Sequence, residues 1–175
     1  MITRQLDHDT PLYRVLVPRW SYQPLSGAGA AEHGGRFNRP GTEAFYCSLT
    51  GAVALREYQQ DSAFLPPGTI VSYLARATVL DLAAAAPGNQ GLDPIWQDWD
   101  TDWRACVYDQ YVEPPTWTMG DMALKEGLTG ILFPPVIVSD GLNLVLFPET
   151  FETTASLKLI DGEHRLPRGP ESWKD

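Results

Sequence analysis

Residues 19–42 constrain this chain more than any other stretch. They hold five glycines (27, 29, 34, 35 and 41) and two prolines (24 and 40), and show neither a helical nor a strand period. Unpatterned segments of this length are uncommon inside compact domains and are often functional. The segment is read as a long functional loop.

Regular elements are expected on either side of it. Residues 12–17 are rich in β-formers and end at Pro18, which predicts a strand. A short strand follows over 44–47. Ser48 fits a helix N-cap, and a mostly buried helix is predicted over 49–60. Strands are predicted over 69–77 and 78–82, a low-complexity run over 83–86 and a loop over 87–94. Helices are expected over 102–112, stopped by Pro114 and Pro115, and over 116–126, stopped by Gly127. Further short strands are expected over 130–133, 136–139, 142–147 and 156–160. Strands and helices mix without regular βαβ alternation, so the class is α+β, a small mixed sheet with flanking helices. Residues 1–160 are expected to form a single domain, with 161–175 a polar, loosely held tail.

Composition excludes several functions. With 43% hydrophobic residues the chain can build a core. Its 22 acidic against 13 basic residues give a net charge of −9, which disfavours nucleic acid and anionic membranes as partners. The two cysteines, Cys47 and Cys106, form no disulfide framework, so a reducing cytoplasm is expected. The first nine residues lack the apolar core of a secretory signal, and no run approaches the ~20 apolar residues of a membrane span. The three histidines, His8, His33 and His164, are scattered, and neither CxxC nor HxxxH occurs, so no metal is expected. Gly27-Ala28-Gly29 begins like a dinucleotide fingerprint, but Glu32 stands in place of the third glycine. No GxSxG nucleophile elbow is present.

What remains is Gly34-Gly35-Arg36-Phe37-Asn38-Arg39-Pro40-Gly41. Glycines let backbone and ligand approach closely, and an arginine among them offers a fork of donors suited to phosphate or pyrophosphate. Further on, Glu57 falls between Val53 and Ala54 on the helical wheel, where a carboxylate is half-buried rather than freely solvated. The Trp96–Trp103 cluster reads as core or partner surface. With no more than this, an acidic, non-enzymatic module binding a basic partner is the alternative reading.

The Gly34–Asn38 segment, the strand end Tyr46-Cys47-Ser48 and the helix carrying Glu57 together resemble the RES domain. Ser139, in Val138-Ser139-Asp140-Gly141-Leu142-Asn143, resembles that family's closing Ser…Asn segment. The likeness spans about Tyr13 to Pro148, with Phe37 where the family often has tryptophan. It implies a toxin of a bacterial toxin–antitoxin pair that consumes NAD on a fold similar to ADP-ribosyltransferases and diphtheria-type toxins. It further implies an Xre-like or related DNA-binding antitoxin in a hetero-oligomer. By the resemblance, NAD is cleaved at the nicotinamide–ribose bond. ADP-ribose then passes to water, phosphate or a protein such as phosphoribosyl pyrophosphate synthetase. Glu57 would steady the ribosyl cation, and Arg36 and Arg14 would bind phosphate. Tyr46 would stack on nicotinamide or bond a ribose oxygen, Ser139 would orient Glu57 or the nicotinamide amide, and Asn143 would assist.

Overall fold

A computed structural model describes residues 1–84, 90–151 and 155–173. The predicted low-complexity run and the loop after it fall in part at 85–89, outside the described residues. Strand β1 (Thr3–Leu16) begins well before the apolar run at 12–17. Its N-terminal half is recruited by pairing: Thr3 to Leu6 lie opposite Leu80 to Ala77 of β3 (Thr69–Asp81), and Thr10 to Leu16 opposite Ala75 to Thr69. Between Leu6 and Thr10, four steps on β1 span two on β3, a bulge that lets two long strands bend together. Arg4 closes the far end on the buried Asp81 carboxylate at 2.7 Å.

β3 is one strand, not the two predicted over 69–77 and 78–82. Val71, Tyr73, Ala75, Ala77 and Val79 are all buried, so the period of two runs through Thr78 unbroken. One edge of β3 takes β1. The other takes β6 (Ser156–Ile160), antiparallel along Ser72–Arg76, and then β4 (Gly130–Phe133), parallel along Val79–Asp81. β5 (Asn143–Leu146) joins β4 to β2 (Phe45–Ser48), and β2 returns to β1 through Tyr13 opposite Ser48. The sheet thus closes on itself through β1–β2–β5–β4–β3, with β6 added at β3. The α+β class stands.

β5 separates two cores. Leu144 and Leu146 join Phe45, Cys47 and Tyr73 on one face; Val145 and Phe147 join Phe37, Trp96, Trp99 and Met119 on the other. Trp96 and Trp99 are therefore core residues. Leu166, in the predicted tail, packs on the first core, and Asp161 accepts from the backbone N–H groups of Arg165 and Leu166 at 2.8 and 3.2 Å.

Other expectations need correction. The loop at 19–42 contains helix α1 (Ala28–His33), where Ala28, Ala30 and Ala31 favour helix and Gly34, at φ 75°, ends it. Helix α2 (Gly51–Gln59) is capped by Thr50, whose Oγ1 accepts from the Val53 N–H at 3.3 Å, so Ser48 is not the cap but the last residue of β2. Only Val53 and Ala54 of α2 are buried. The helix predicted over 102–112 becomes a short helical turn widening into a π-helical segment, Ala105–Asp109, with Gln110 donating to the Ala105 carbonyl at 3.0 Å. It ends at Tyr111, whose φ of 57° leaves the helical region. Helix α3 (Pro115–Lys125) forms within a residue of its prediction. The strand predicted over 136–139 is absent: Pro134 and Pro135 stop β4, and Val136 and Ile137 stand exposed in bends.

Candidate functional site

The glycine-rich loop is held rigidly from beneath. Asn38 is buried, and its Nδ2 donates to the Ala30 and Thr42 carbonyls, both at 2.8 Å. Its Oδ1 accepts from the Tyr46 hydroxyl at 2.9 Å, and that hydroxyl accepts in turn from the Phe37 N–H at 2.9 Å. Tyr46 lines the cleft described below, but its hydroxyl is committed to holding the loop rather than presented to a ligand. Burial raises its pKa. A Cβ on Gly35 would lie 2.6 Å from both Tyr46 Oη and Asn38 Oδ1, so only glycine fits there. Trp117 Nε1 donates to the Gly35 carbonyl at 2.8 Å, tying α3 to the loop. These contacts fix the backbone on both sides of Arg36. Arg36 Nη1 then donates to the carbonyls of Thr101 at 2.8 Å and Trp99 at 3.2 Å.

Glu57 is held by a chain of polar groups across two strands. Ser48 and Asn143 lie opposite each other in the β2–β5 ladder. Ser48 Oγ donates to Asn143 Oδ1 at 2.8 Å, and Asn143 Nδ2 donates to Glu57 Oε1 at 2.8 Å. The directions follow from chemistry. A carboxylate only accepts, so Asn143 turns its amino group toward Glu57; its carbonyl then needs a donor, which Ser48 supplies. Ser48 and Asn143 are buried and Glu57 is half-buried, as its wheel position predicted.

These groups line one cleft of about 730 Å³, within the size range of small-ligand pockets. Arg14, Arg36, Tyr46, Glu57 and Asn143 all face it. A smaller compartment of about 280 Å³ adjoins it and shares Arg36, Glu57, Arg104, Phe133 and Asn143. Arg14 Nη1 donates to the Ser26 carbonyl at 2.8 Å, and its guanidinium lies 4.8 Å from the Phe45 ring centre. Burial is the largest influence on both Arg14 and Arg36 and lowers their pKa values; for Arg36, Tyr46 and Glu57 act the opposite way and Arg104 adds to the lowering. Two partly desolvated arginines facing one space suit an anion, since an anionic ligand would restore what burial removed. Burial also pushes the Cys47 thiol up to about 12, and both cysteines are free and buried.

Ser139 does not join the site. It is exposed in the bend after Ile137 and lines neither compartment. The serine bonded next to Glu57 through Asn143 is Ser48. Its signal in the sequence was the Tyr-x-Ser strand end, but a serine before a helix also reads as a cap. Trp103 and Arg104 were missed as well, and no pattern around them marked a cleft wall. Among the described residues no cluster of three or more His, Cys, Asp or Glu could hold a metal, and no helix is long and apolar enough to cross a membrane.

The closed sheet carries an arginine-lined cleft with one oriented carboxylate, an arrangement whose chemistry suits an anionic small molecule. Residues 11–168 match the RES domain, and the chain belongs to that family. "Toxin Res" of Yersinia enterocolitica is 29% identical over 154 residues, covering 83% of this chain and 90% of that protein. The fold is shared with a chain in the crystal structure of the M. tuberculosis MbcT–MbcA toxin–antitoxin complex. That match has a TM-score of 0.59 at 20% identity and covers 90% of this chain and 84% of that one.

Proposed function

We propose that this protein is the toxin of a toxin–antitoxin pair and that it cleaves NAD at the nicotinamide–ribose bond, arresting growth until a cognate antitoxin neutralises it. Membership of the RES family and the likeness to "Toxin Res" support the toxin reading. The likeness to a toxin–antitoxin complex supports a cognate antitoxin as partner in a hetero-oligomer; that the antitoxin binds DNA follows from the family resemblance alone. The chemistry rests on one observation: Arg36 from the loop and Glu57 from α2 face the same cleft.

The residues suit the reaction. The bond from the nicotinamide nitrogen to ribose C1 breaks with its electron pair on the nitrogen, which loses its positive charge and departs neutral. No general acid is required, unlike the departure of an alkoxide from an O-glycoside. One carboxylate suffices to stabilise the ribosyl cation; the task is assigned to Glu57, and its hydrogen bond from Asn143 supports that reading. C1 then bonds an acceptor oxygen, which gives up its proton. The acceptor is water, phosphate or a protein side chain. Arg36 and Arg14 hold the phosphates; NAD is consumed, and no metal or other cofactor takes part.

The test is nicotinamide release from NAD by the purified protein. Glu57→Gln should lose about a hundredfold or more of the rate, the scale of removing one preorganised electrostatic contact, and should abolish growth arrest. Growth arrest undiminished in Glu57→Gln, or no nicotinamide release by the unaltered protein with or without phosphate or cell extract, would overturn the reading. Absence of saturable NAD binding by calorimetry would favour the acidic binding module instead.

A further inference from the structure

Charge is sorted between the two compartments. Among the described residues, the larger is lined by Arg14, Arg36 and Arg104 against Glu57 as its only carboxylate. Asp61, Asp100 and Asp102 all line the smaller one. Positive charge is in excess on one side of the Arg36–Glu57 divide and negative charge on the other.

Arg14 and Arg36 are bonded to backbone carbonyls, whereas among the described residues the Arg104 guanidinium is not. Among the described residues it forms no ion pair. Its guanidinium carbon lies 4.7 Å from the ring centre of buried Trp103, so the side chain is laid along the cleft wall instead of ranging through solvent. Asp102, two residues away, has Oδ1 engaged by the Ala105 N–H at 3.1 Å. Arg36 holds the Thr101 and Trp99 carbonyls, so one arginine of the cleft tethers the segment that carries the other. Both arginines line the same two compartments, and the charge of Arg104 works against that of Arg36. An anion with two charged groups relieves that opposition and gives each guanidinium a partner.

We infer that Arg104 and Arg36, beside Arg14, form a diphosphate clamp, which makes Arg104 a specificity-determining residue for a dinucleotide. The inference rests on the NAD reading. Arg36 and Arg104 line both compartments; the clamp is assigned to the larger because Arg14 adds positive charge there, whereas Asp61, Asp100 and Asp102 add negative charge to the smaller. Because the contact is made equally before and during bond cleavage, its loss raises KM and largely spares kcat.

Arg104 is exposed, so Arg104→Ala should fold with an unchanged melting temperature. Its KM for NAD should rise about 10- to 100-fold, the scale of one charge-assisted hydrogen-bonded contact, with kcat within threefold. Arg104→Lys should recover part of the loss. Inorganic pyrophosphate, titrated by calorimetry, should bind the unaltered protein and lose affinity by a similar factor in Arg104→Ala. An unchanged KM in Arg104→Ala, with NAD still consumed, overturns the clamp and leaves the NAD reading intact. If the unaltered protein consumes no NAD, that reading fails and the pyrophosphate titration decides alone: weaker binding in Arg104→Ala supports a diphosphate site, and equal or absent binding overturns it.

Discussion

At the scale of single residues, the site depends on a hydrogen-bond chain more than on any one group. Glu57 fixes which way the Asn143 amide faces, and Ser48 holds it there by donating to the amide oxygen. Ser48→Ala leaves the buried Asn143 carbonyl without its donor, a loss of about 1–3 kcal/mol of fixed geometry. We predict that Ser48→Ala lowers kcat for NAD cleavage at least tenfold while KM stays within threefold, and that Ser48→Thr, which keeps the hydroxyl, retains most of the rate. A serine acting only in folding would lower the melting temperature without splitting kcat from KM. Ser139→Ala should leave kinetics and stability unchanged, since that side chain is exposed and away from both compartments. Measured loss of activity in Ser139→Ala would return it to the site.

At the scale of elements, the loop that carries Arg36 is only as firm as its seat on α3. Gly120 of that helix packs directly on the loop backbone: a Cβ there would lie 1.8 Å from the Phe37 carbonyl oxygen. Gly120→Ala therefore forces helix and loop apart and should cost about 2–3 kcal/mol, the upper range for overpacking a tight contact, or roughly 4–12 °C of melting temperature in a chain of this size. Gly29→Ala, inside α1 with nothing within 4 Å of the added carbon, should be neutral or gain up to about 1 kcal/mol. Thermal unfolding of the pair checks the argument; equal melting temperatures would refute it. The same elements show what could be read in advance. The apolar runs at 12–17, 130–133 and 142–147 were legible as strands because packing repeats their pattern. α1 was not, since six residues show no period. Residues 136–139 misled because Val136 and Ile137 are apolar yet exposed. Arg36 and Glu57 were legible from local chemistry. The Ser48–Asn143 pair was not: it joins residues 95 positions apart, and only the β2–β5 register brings them together. Arg104 escaped because its meaning comes from the Arg36 tether rather than from its neighbours in the chain.

At the scale of the molecule, the closed sheet buries ionisable groups in and beneath the wall of its polar cleft, and this sets the response to alkali. Burial raises the Cys47 thiol from 9.0 to about 12, and raises Tyr46 and Tyr73 above their ordinary 10.0. The unfolded chain loses these protons first as pH rises, so the native state binds more protons over that range. Stability is therefore full below about pH 9 and falls through the interval up to the folded values, by as much as about 1.4 kcal/mol per pH unit for each titrating group. Cys47 acts first, and the tyrosines join above pH 10. The net charge of −9 also grows at high pH and works in the same direction through self-repulsion. Cys47→Ala separates the two effects: the variant is less stable at pH 8 because it leaves a cavity, but it should lack the part of the decline between pH 9 and 10 that the thiol supplies. Urea midpoints measured from pH 8 to 10.5 give both slopes. A flat midpoint in the unaltered protein, or identical slopes in the two proteins, would mean that Cys47 reaches solvent and that the core beneath the cleft is not sealed.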